Sequence, residues 1–158
     1  MIIGIDPGLR GAAVAITDSG SLIDYLDTPT YGGKYCLEDL YGGLEWLITR
    51  ELMFGPPTAY IERQGTRPRQ SCQSAFTTGY GYGLWIMALA ALEVSTVQMQ
   101  PATWCKVMRP GGLRKGKASS ITNAQRLFPS LELAGPKGGA KDGRADAALI
   151  AEYGRRLQ

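Results

Sequence analysis

Short apolar runs separated by turns open the chain. Ile2 to Asp6 is followed by a Pro-Gly turn, and Ala12 to Ile16 resumes the apolar pattern, which indicates two consecutive strands. After a second turn, Leu22 to Asp27 alternates between apolar and polar residues well enough to predict a third strand. Because the connections are short, we expect these three strands to form an antiparallel meander.

The pattern changes to a helical period further along the chain. From Leu37 to Leu52, and again from Ser71 to Leu92, apolar residues keep the spacing of a helix, although three glycines interrupt the second segment. Ala59 to Glu62 and Val94 to Met99 are predicted as the fourth and fifth strands. Strands that alternate with helices in this order favour right-handed parallel crossovers.

Helices and loops make up the remainder of the chain. Pro101 suits the first turn of a short helix through Val107, and two more helices are predicted at residues 118–127 and 143–156. This order of elements predicts an α/β fold in which helices cover a mixed five-stranded sheet, with three antiparallel strands followed by parallel crossovers. A length of 158 residues without a repeat or linker predicts one domain over residues 1–158.

The composition limits the chemistry that is available. The chain has no histidine, and its three cysteines are widely separated. It therefore lacks the usual general base near neutral pH and the common nitrogen and sulfur ligands of zinc, so a bound metal must be held by oxygen. No apolar run approaches the roughly 18 residues of a membrane span, and the chain opens without a secretory signal, so we expect a cytoplasmic protein.

Charge is distributed unevenly along the chain. Residues 1–100 carry six lysines and arginines against ten acids, whereas residues 101–158 carry eleven against four. The basic part is a candidate for phosphate binding, because a local field attracts a partner more than the total charge does. A solvated face of paired charges explains the same distribution equally well.

Acidic residues occur where the predicted topology would bring them together. Asp6 and Glu62 end two strands that should be parallel, and the carboxyl ends of parallel strands face the same edge of a sheet. Asp142 and Asp146 are four residues apart, which places them on one face of the last helix. Crowded carboxylates repel one another unless cations lie between them. The four acids therefore predict a site for two Mg²⁺ or Mn²⁺ ions that activate water against a phosphodiester.

Each acid also has an ordinary structural explanation. Asp6 could belong to the turn that follows it, and Glu62 could pair with a neighbouring arginine. Asp142 suits the N-cap of the last helix, and Asp146 favours the dipole of that helix. The metal site is favoured because all four acids fall on segments that the topology brings to one edge.

Four motifs in order along the chain carry a family resemblance. They are Ile3-Gly4-Ile5-Asp6-Pro7-Gly8, Ala59-Tyr60-Ile61-Glu62, the basic stretch from Pro101 to Pro129, and the acidic helix from Asp142 to Tyr153. Together they resemble the motifs of RuvC-type Holliday-junction resolvases of the RNase H-like superfamily, and the last is similar to phage-type members. The resemblance implies an RNase H-like fold and a homodimer that presents two sites to a four-way junction. It also implies paired, Mg²⁺-dependent nicks that leave 5′-phosphates.

The resemblance assigns roles by position. Asp6, Glu62 and Asp146 match the metal-binding acids of the family, whereas Gly143 stands where cellular members have another acid or a histidine. We therefore assign the fourth ligand to Asp142. An aromatic residue that follows the second acid in some members is missing from residues 63–66, which leaves the junction sequence preference open.

Basic and aromatic residues complete the set of candidates. Arginines after the second acid could pair with phosphates, and further basic residues extend this positive surface along the basic segment. The DNA-binding candidates are Arg63, Arg67, Arg69, Lys106, Arg109, Arg114, Lys115 and Lys117. For Trp104 and Phe76 we favour core packing over base stacking. Residues 71–92 are the candidate dimer surface, where Phe76, Tyr80, Tyr82 and Trp85 could pack; a core helix explains the same composition almost as well.

Three other functions share some of these features. Actin-like and sugar-kinase ATPases begin with a similar strand and glycine turn, but they need a second such half that this chain has no room for. A junction-binding module without catalysis would be expected to lack at least one acid, and all four are present. Within nucleases, the closest alternative is an RNase H-like enzyme that acts on RNA:DNA hybrids or flaps.

Overall fold

The computed structural model describes residues 1–49, 55–109, 116–135 and 138–158. The strands, in chain order, are β1 (Ile2–Asp6), β2 (Ala12–Ile16), β3 (Leu22–Asp27), β4 (Thr30–Tyr31), β5 (Lys34–Tyr35), β6 (Thr58–Glu62) and β7 (Ser95–Met99). The helices are α1 (Leu37–Thr49), α2 (Cys72–Ala91), α3 (Pro101–Met108), α4 (Gly116–Leu127) and α5 (Asp142–Arg155). In the ranges described, no helix has both the length and the apolar character to cross a membrane.

Five strands form the main sheet, in the order β3-β2-β1-β6-β7. The pairs β1/β2 and β2/β3 are antiparallel, whereas β1/β6 and β6/β7 are parallel. The predicted meander followed by parallel crossovers is thus confirmed. Ile5 is aligned with Ile61, so the next residues, Asp6 and Glu62, leave adjacent strands at the same level.

Alternation along the strands divides the apolar side chains between two faces of the sheet. Ile3 and Ile5 pack with α1 and α2 on one face, whereas Ile2 belongs to the core formed with α3, α4 and α5 on the other. Asp6 shares the parity of Ile2, and Glu62 that of Tyr60, so both acids belong to the α5 face. The sheet therefore has helices on both faces, and both acids lie on one of them.

Helix α5 packs closely against the central strand. A Cβ on Gly4 would lie 2.1 Å from the carbonyl oxygen of Ala147, which leaves no room for any side chain at this position. Six of the ten buried residues of α5 are alanine or glycine, and such small residues allow the helix to approach β1. This contact fixes the height of α5 relative to the end of β1.

Several boundaries differ from those predicted. A short hairpin of β4 and β5 was not predicted; Gly32 and Gly33 form its turn, with φ of 58° and 75°, the left-handed region that glycine adopts without strain. Helix α4 begins two residues earlier than predicted, and α5 begins and ends one residue earlier. The predicted extension of α1 to Leu52 and the loop at residues 110–115 lie outside the described residues.

Candidate active site

All four predicted acids line a single cleft of about 680 Å³ beside the carboxyl ends of β1 and β6. The strand register delivers Asp6 and Glu62 to this cleft, and the first turns of α5 deliver Asp142 and Asp146. Other residues lining the cleft include Tyr35, Gln64, Arg67, Gln70, Cys105 and Arg109. The structure therefore brings together carboxylates from three separate segments of the chain.

Asp6 is held by the loop that follows its strand. The backbone N–H of Gly8 donates a 3.0 Å hydrogen bond to Oδ1 of Asp6. Burial raises the pKa of Asp6 from 3.8 to about 7; the Gly8 bond opposes this, and the charges of Glu62, Asp146 and Asp142 add to it. An acid in this position strongly favours a nearby cation or a proton.

Neutral donors orient both oxygens of Glu62. Gln64 Nε2 donates to Oε1 at 3.0 Å, and the indole Nε1 of Trp104 donates to Oε2 at 2.8 Å. Burial raises the pKa of Glu62, the Trp104 bond opposes the shift, and the charge of Asp146 adds to it. Sequence reasoning did not identify Gln64, although its position two residues after the acid places it on the same side of an extended segment.

Asp146 forms an ion pair inside the cleft. Nη2 of Arg109 lies 2.8 Å from Oδ1 of Asp146, with the two side chains only 14% and 17% exposed. The guanidinium also lies over the ring of Trp104, 4.7 Å from its centroid. Burial opposes the charge of Arg109, but Asp146 raises the guanidinium pKa above its usual value. Arg109 was expected on the exposed basic surface. It lies inside the cleft instead, because α3 packs against α5 and Arg109 directly follows α3.

Asp142 is the first residue of α5 and not its N-cap. Lys141 occupies the cap position and makes no capping hydrogen bond with its side chain. The N-cap explanation of Asp142 is therefore wrong. Asp142 lines the cleft, and its negative charge contributes to the raised pKa of Asp6.

The donor set of the cleft is composed of oxygen atoms. Cys105 lines the cleft, but burial raises the pKa of its thiol to about 11, so the sulfur stays protonated near neutral pH. Four carboxylates fit a hard divalent cation such as Mg²⁺ or Mn²⁺ in charge and donor type. Across residues 1–49, 55–109, 116–135 and 138–158, no three acids or thiols lie close enough to share one ion. Binding would require carboxylates to move closer together.

Among the predicted DNA-binding residues, Arg67 lines the cleft. Its backbone N–H donates to Oε1 of Gln70, whose amide in turn donates to Ser74 and Thr78 of α2, so this loop is anchored to the helix. Arg63, Arg69 and Lys106 are exposed on the surface. Arg114 and Lys115 lie outside the described residues, as does the side chain of Lys117.

The aromatic residues divide between core and surface. Trp104 is fully buried, as expected, but the expectation that Phe76 packs in the core is wrong, because its side chain is 69% exposed. Phe76 stacks on Tyr80 with ring centroids 6.2 Å apart. Trp85 was a candidate for the dimer surface, yet it is completely buried on the opposite side of α2. The reason is that α2 presents one face to the sheet and leaves the other uncovered.

The hairpin that sequence reasoning missed also contributes to the cleft. The hydroxyl of Tyr35 in β5 donates a 3.3 Å hydrogen bond to the carbonyl oxygen of Pro7. This bond ties the hairpin to the loop that holds Asp6. A two-residue glycine turn was the signal in the sequence that could have identified the hairpin.

The sheet order, the flanking helices and the acids at the strand ends define an RNase H-like fold. Three solved structures share this fold with the chain. Thermus thermophilus RuvC in complex with a Holliday junction substrate has a TM-score of 0.65 at 20% identity, covering 99% of this chain and 95% of that chain. A second T. thermophilus RuvC structure gives 0.63 at 18%, with the same coverage. The yeast mitochondrial Holliday junction resolvase Ydc2 gives 0.52 at 18%, covering 98% and 77%.

No protein-family model and no curated protein matches the chain. At the identities of the solved structures, the likeness establishes the fold. The functional argument therefore depends on the side chains of the cleft.

Proposed function

We propose that this protein is a structure-selective endodeoxyribonuclease that resolves Holliday junctions and other branched DNA by paired nicks, and so acts in recombination and repair. The observation that supports it most is the meeting of four carboxylates in one cleft beside the ends of two parallel strands. The fold is shared with T. thermophilus RuvC, solved with a Holliday junction substrate, and with the yeast resolvase Ydc2.

Asp6, Glu62, Asp142 and Asp146 are the residues that would hold two Mg²⁺ ions, with Mn²⁺ as a substitute. When bound, such ions supply an activated water and stabilise the charge that develops on the phosphodiester. The chain itself orients the ligands: Gly8 holds Asp6, while Gln64 and Trp104 hold Glu62. These bonds involve neutral donors, so the carboxylates keep their negative charge available for cations.

Arginines and lysines around the cleft are proposed to bind the DNA backbone. Arg67 lines the cleft itself. Arg63 and Arg69, close to Glu62 in sequence, and Lys106 in α3 are exposed cations. Arg114, Lys115 and Lys117 extend this set by their sequence positions. Affinity should fall steeply with salt, because neutralised phosphates release their counterions.

A homodimer is proposed through the uncovered face of α2. Phe76, Tyr80 and Met87 are 69%, 44% and 66% exposed, and their spacing aligns them on the side of α2 away from the sheet. Gly83 falls on the same line, and a Cβ there would meet nothing within 4 Å. A line of large apolar residues interrupted by a glycine suits packing against a second helix. Two copies would present two clefts to one four-way junction.

Cleavage assays with different substrates distinguish the proposed function from its alternatives. Purified protein is incubated with a labelled four-way junction, a linear duplex of the same sequence and an RNA:DNA hybrid, with and without Mg²⁺. We expect symmetric, Mg²⁺-dependent nicking of the junction, which disappears in Asp6→Asn and Glu62→Gln while junction binding persists. Preferential cleavage of the hybrid would favour the RNase H-like alternative, equal cleavage of the duplex would remove the resolvase assignment, and binding without cleavage would indicate a non-catalytic module.

Three further points stay predictions from the sequence. They are that residues 1–158 form one nuclease domain, that the protein is of the phage type, and that it works in the cytoplasm.

A further inference from the structure

Arg109 is a cation in the cleft to which the proposed reaction assigns no role. Its guanidinium is paired with Asp146 at 2.8 Å and lies over Trp104, whose indole in turn donates to Glu62. Trp104 in α3 and Arg109 directly after α3 therefore contact Glu62 and Asp146, respectively. Trp104 does so as a neutral donor, and Arg109 as a cation.

The position of Arg109 is that of a counter-charge among acids. Burial and the charge of Asp146 raise the pKa of Glu62, and the positive charge of Arg109 opposes that increase. The Nε atom of Arg109 is buried and has no hydrogen-bond partner among the residues described. A donor left unpaired in a buried position is costly, so the attraction between the guanidinium and the acids must offset that cost.

Leaving this position requires only local movement. Arg109 follows the last residue of α3 with an extended backbone, φ −108° and ψ 110°, so it is not part of the helix. Among the residues that the structure describes, its ion pair joins Nη2 to one oxygen of Asp146. A rotation of the side chain would release Asp146 without disturbing Trp104, which the core holds.

We propose that Arg109 is an internal cation that occupies the acidic cleft until divalent ions bind, and that ion binding displaces it from Asp146. The proposal rests on the proposed function, since it assumes that Asp146 is a metal ligand. Arg109 is a positioning residue: it keeps Asp146 directed into the cleft and limits the repulsion among the acids. It also competes with the incoming ion for the same oxygen, so it weakens metal binding in the absence of DNA.

The test measures metal binding without DNA or catalysis. Metal-stripped wild type and Arg109→Gln are titrated with Mn²⁺ by calorimetry, and thermal unfolding is recorded before and after. Removing the competing cation should tighten Mn²⁺ binding about five-fold, the scale of one partly exposed ion pair. The metal-free variant should also melt at a lower temperature than wild type. Arg109→Lys, which keeps the charge, should bind Mn²⁺ nearly as wild type does.

Arg155→Gln is the matched control. Arg155 pairs with Glu152 at 2.7 Å near the far end of α5, so the variant loses the same charge and the same kind of ion pair away from the cleft. Its Mn²⁺ affinity should equal that of wild type. If it also binds more tightly, the effect is one of net charge and the proposal is overturned.

A second measurement does not depend on any variant folding. A crystal structure of the wild type with Mn²⁺ should show Arg109 and Asp146 beyond ion-pair distance. Retention of the pair beside a bound ion, or Mn²⁺ affinity in Arg109→Gln that is equal to or weaker than wild type, overturns the inference while leaving the nuclease proposal intact. Failure of the nuclease proposal has a different signature: the wild type binds no Mn²⁺ and nicks no junction.

Discussion

The indole nitrogen of Trp104 donates a 2.8 Å hydrogen bond to Oε2 of Glu62, across 42 residues of sequence. Trp104 lies in α3, in the core shared with α4 and α5, and is completely buried, whereas Glu62 ends β6. The bond therefore fixes the orientation of the Glu62 carboxylate relative to the helices that pack on this face of the sheet. Groups that orient metal ligands in this way affect metal affinity without touching the metal.

The substitution Trp104→Phe tests this relationship. Phenylalanine keeps much of the apolar packing but cannot donate to Glu62, so one carboxylate oxygen loses its orientation. We expect junction nicking to fall about ten-fold or more at limiting Mg²⁺, with partial recovery at high Mg²⁺. Activity is measured as a function of Mg²⁺ concentration. Trp46→Phe, at a half-exposed site on α1, is the control, and equal losses in both variants would contradict the proposed role of the bond.

Asp142 is the proposed ligand that has no matching acid at the same position in the family motif. With its N-cap role excluded, its place in the cleft favours a role in metal binding. Asp142→Asn keeps the shape of the side chain and removes the charge. We expect nicking to fall about a hundredfold or more, because the loss of a ligand should cost at least as much as a change in the groups that orient the ligands. Asp39→Asn on the exposed side of α1 is the control. Nicking at the wild-type rate in Asp142→Asn would remove it from the ligand set.

Hydrophobic periodicity predicted all five strands of the main sheet, because alternation and short turns are local signals. It also predicted that Asp6 and Glu62 converge, since parallel strands share an edge. Arg109 could not be placed in this way: its partner Asp146 is 37 residues away, and their pairing depends on how α3 meets α5.

Which side of α2 is exposed could not be predicted from the sequence either. Phe76 and Trp85 have similar apolar character in the sequence, and only the contact of α2 with the sheet decides which is buried. Apolar residues occur on more than one side of this helix, so its periodicity alone does not show which side packs against the sheet. The N-cap role of Asp142 failed because a periodic pattern does not place the start of a helix to the exact residue.

Gly143 places α5 against the loop that follows β1. A Cβ at this position would lie 2.0 Å from the carbonyl oxygen of Arg10, so alanine must push the first turn of α5 away from the loop. We expect Gly143→Ala to reduce the free energy of unfolding by about 1 to 3 kcal/mol and to lower nicking, because Asp142 and Asp146 move with that turn. Urea unfolding and the nicking assay measure the two effects.

Gly42→Ala is the control for that substitution. Gly42 lies within α1, and a Cβ there would meet nothing within 4 Å. Alanine at this position should increase stability by about 0.5 to 1 kcal/mol and leave nicking unchanged. Equal stability of the Gly143→Ala and Gly42→Ala variants would show that the approach of Arg10 does not constrain α5.

Met87→Glu tests the proposed dimer surface. The Met87 side chain is 66% exposed on the uncovered face of α2, so a charge there should not disturb the core. In a dimer it would place two carboxylates in an apolar interface, and we expect the mass in light scattering to fall from dimer to monomer. Leu157→Glu, at a similarly exposed apolar residue near the C-terminus, should leave the mass unchanged. A wild type that is already monomeric would refute the proposed surface.

Asp27 offers a pH test that is independent of the cleft chemistry. It accepts hydrogen bonds from Arg144 at 2.7 and 2.9 Å and from Lys141 at 2.9 Å. Burial works in the opposite direction, but these bonds hold the pKa of Asp27 below its usual 3.8. Because the folded state binds the proton more weakly than the unfolded state, the stabilisation is complete above about pH 4 and is lost as the pH falls through the folded-state pKa.

Asp27→Asn should therefore be less stable than wild type near neutral pH, by about 1 to 2 kcal/mol for a partly exposed group that bonds to charged donors. The difference should narrow as the pH falls below about 4, because protonation removes the same charge from the wild type. Urea unfolding at about pH 7 and about pH 3 measures both values. Asp18→Asn should change stability little at either pH, because the ion pair of Asp18 with the N-terminal ammonium is at a side chain that is 70% exposed. A wild-type advantage over Asp27→Asn that stays constant down to the lower pH would mean that the ion pairs of Asp27 with Arg144 and Lys141 do not stabilise the fold.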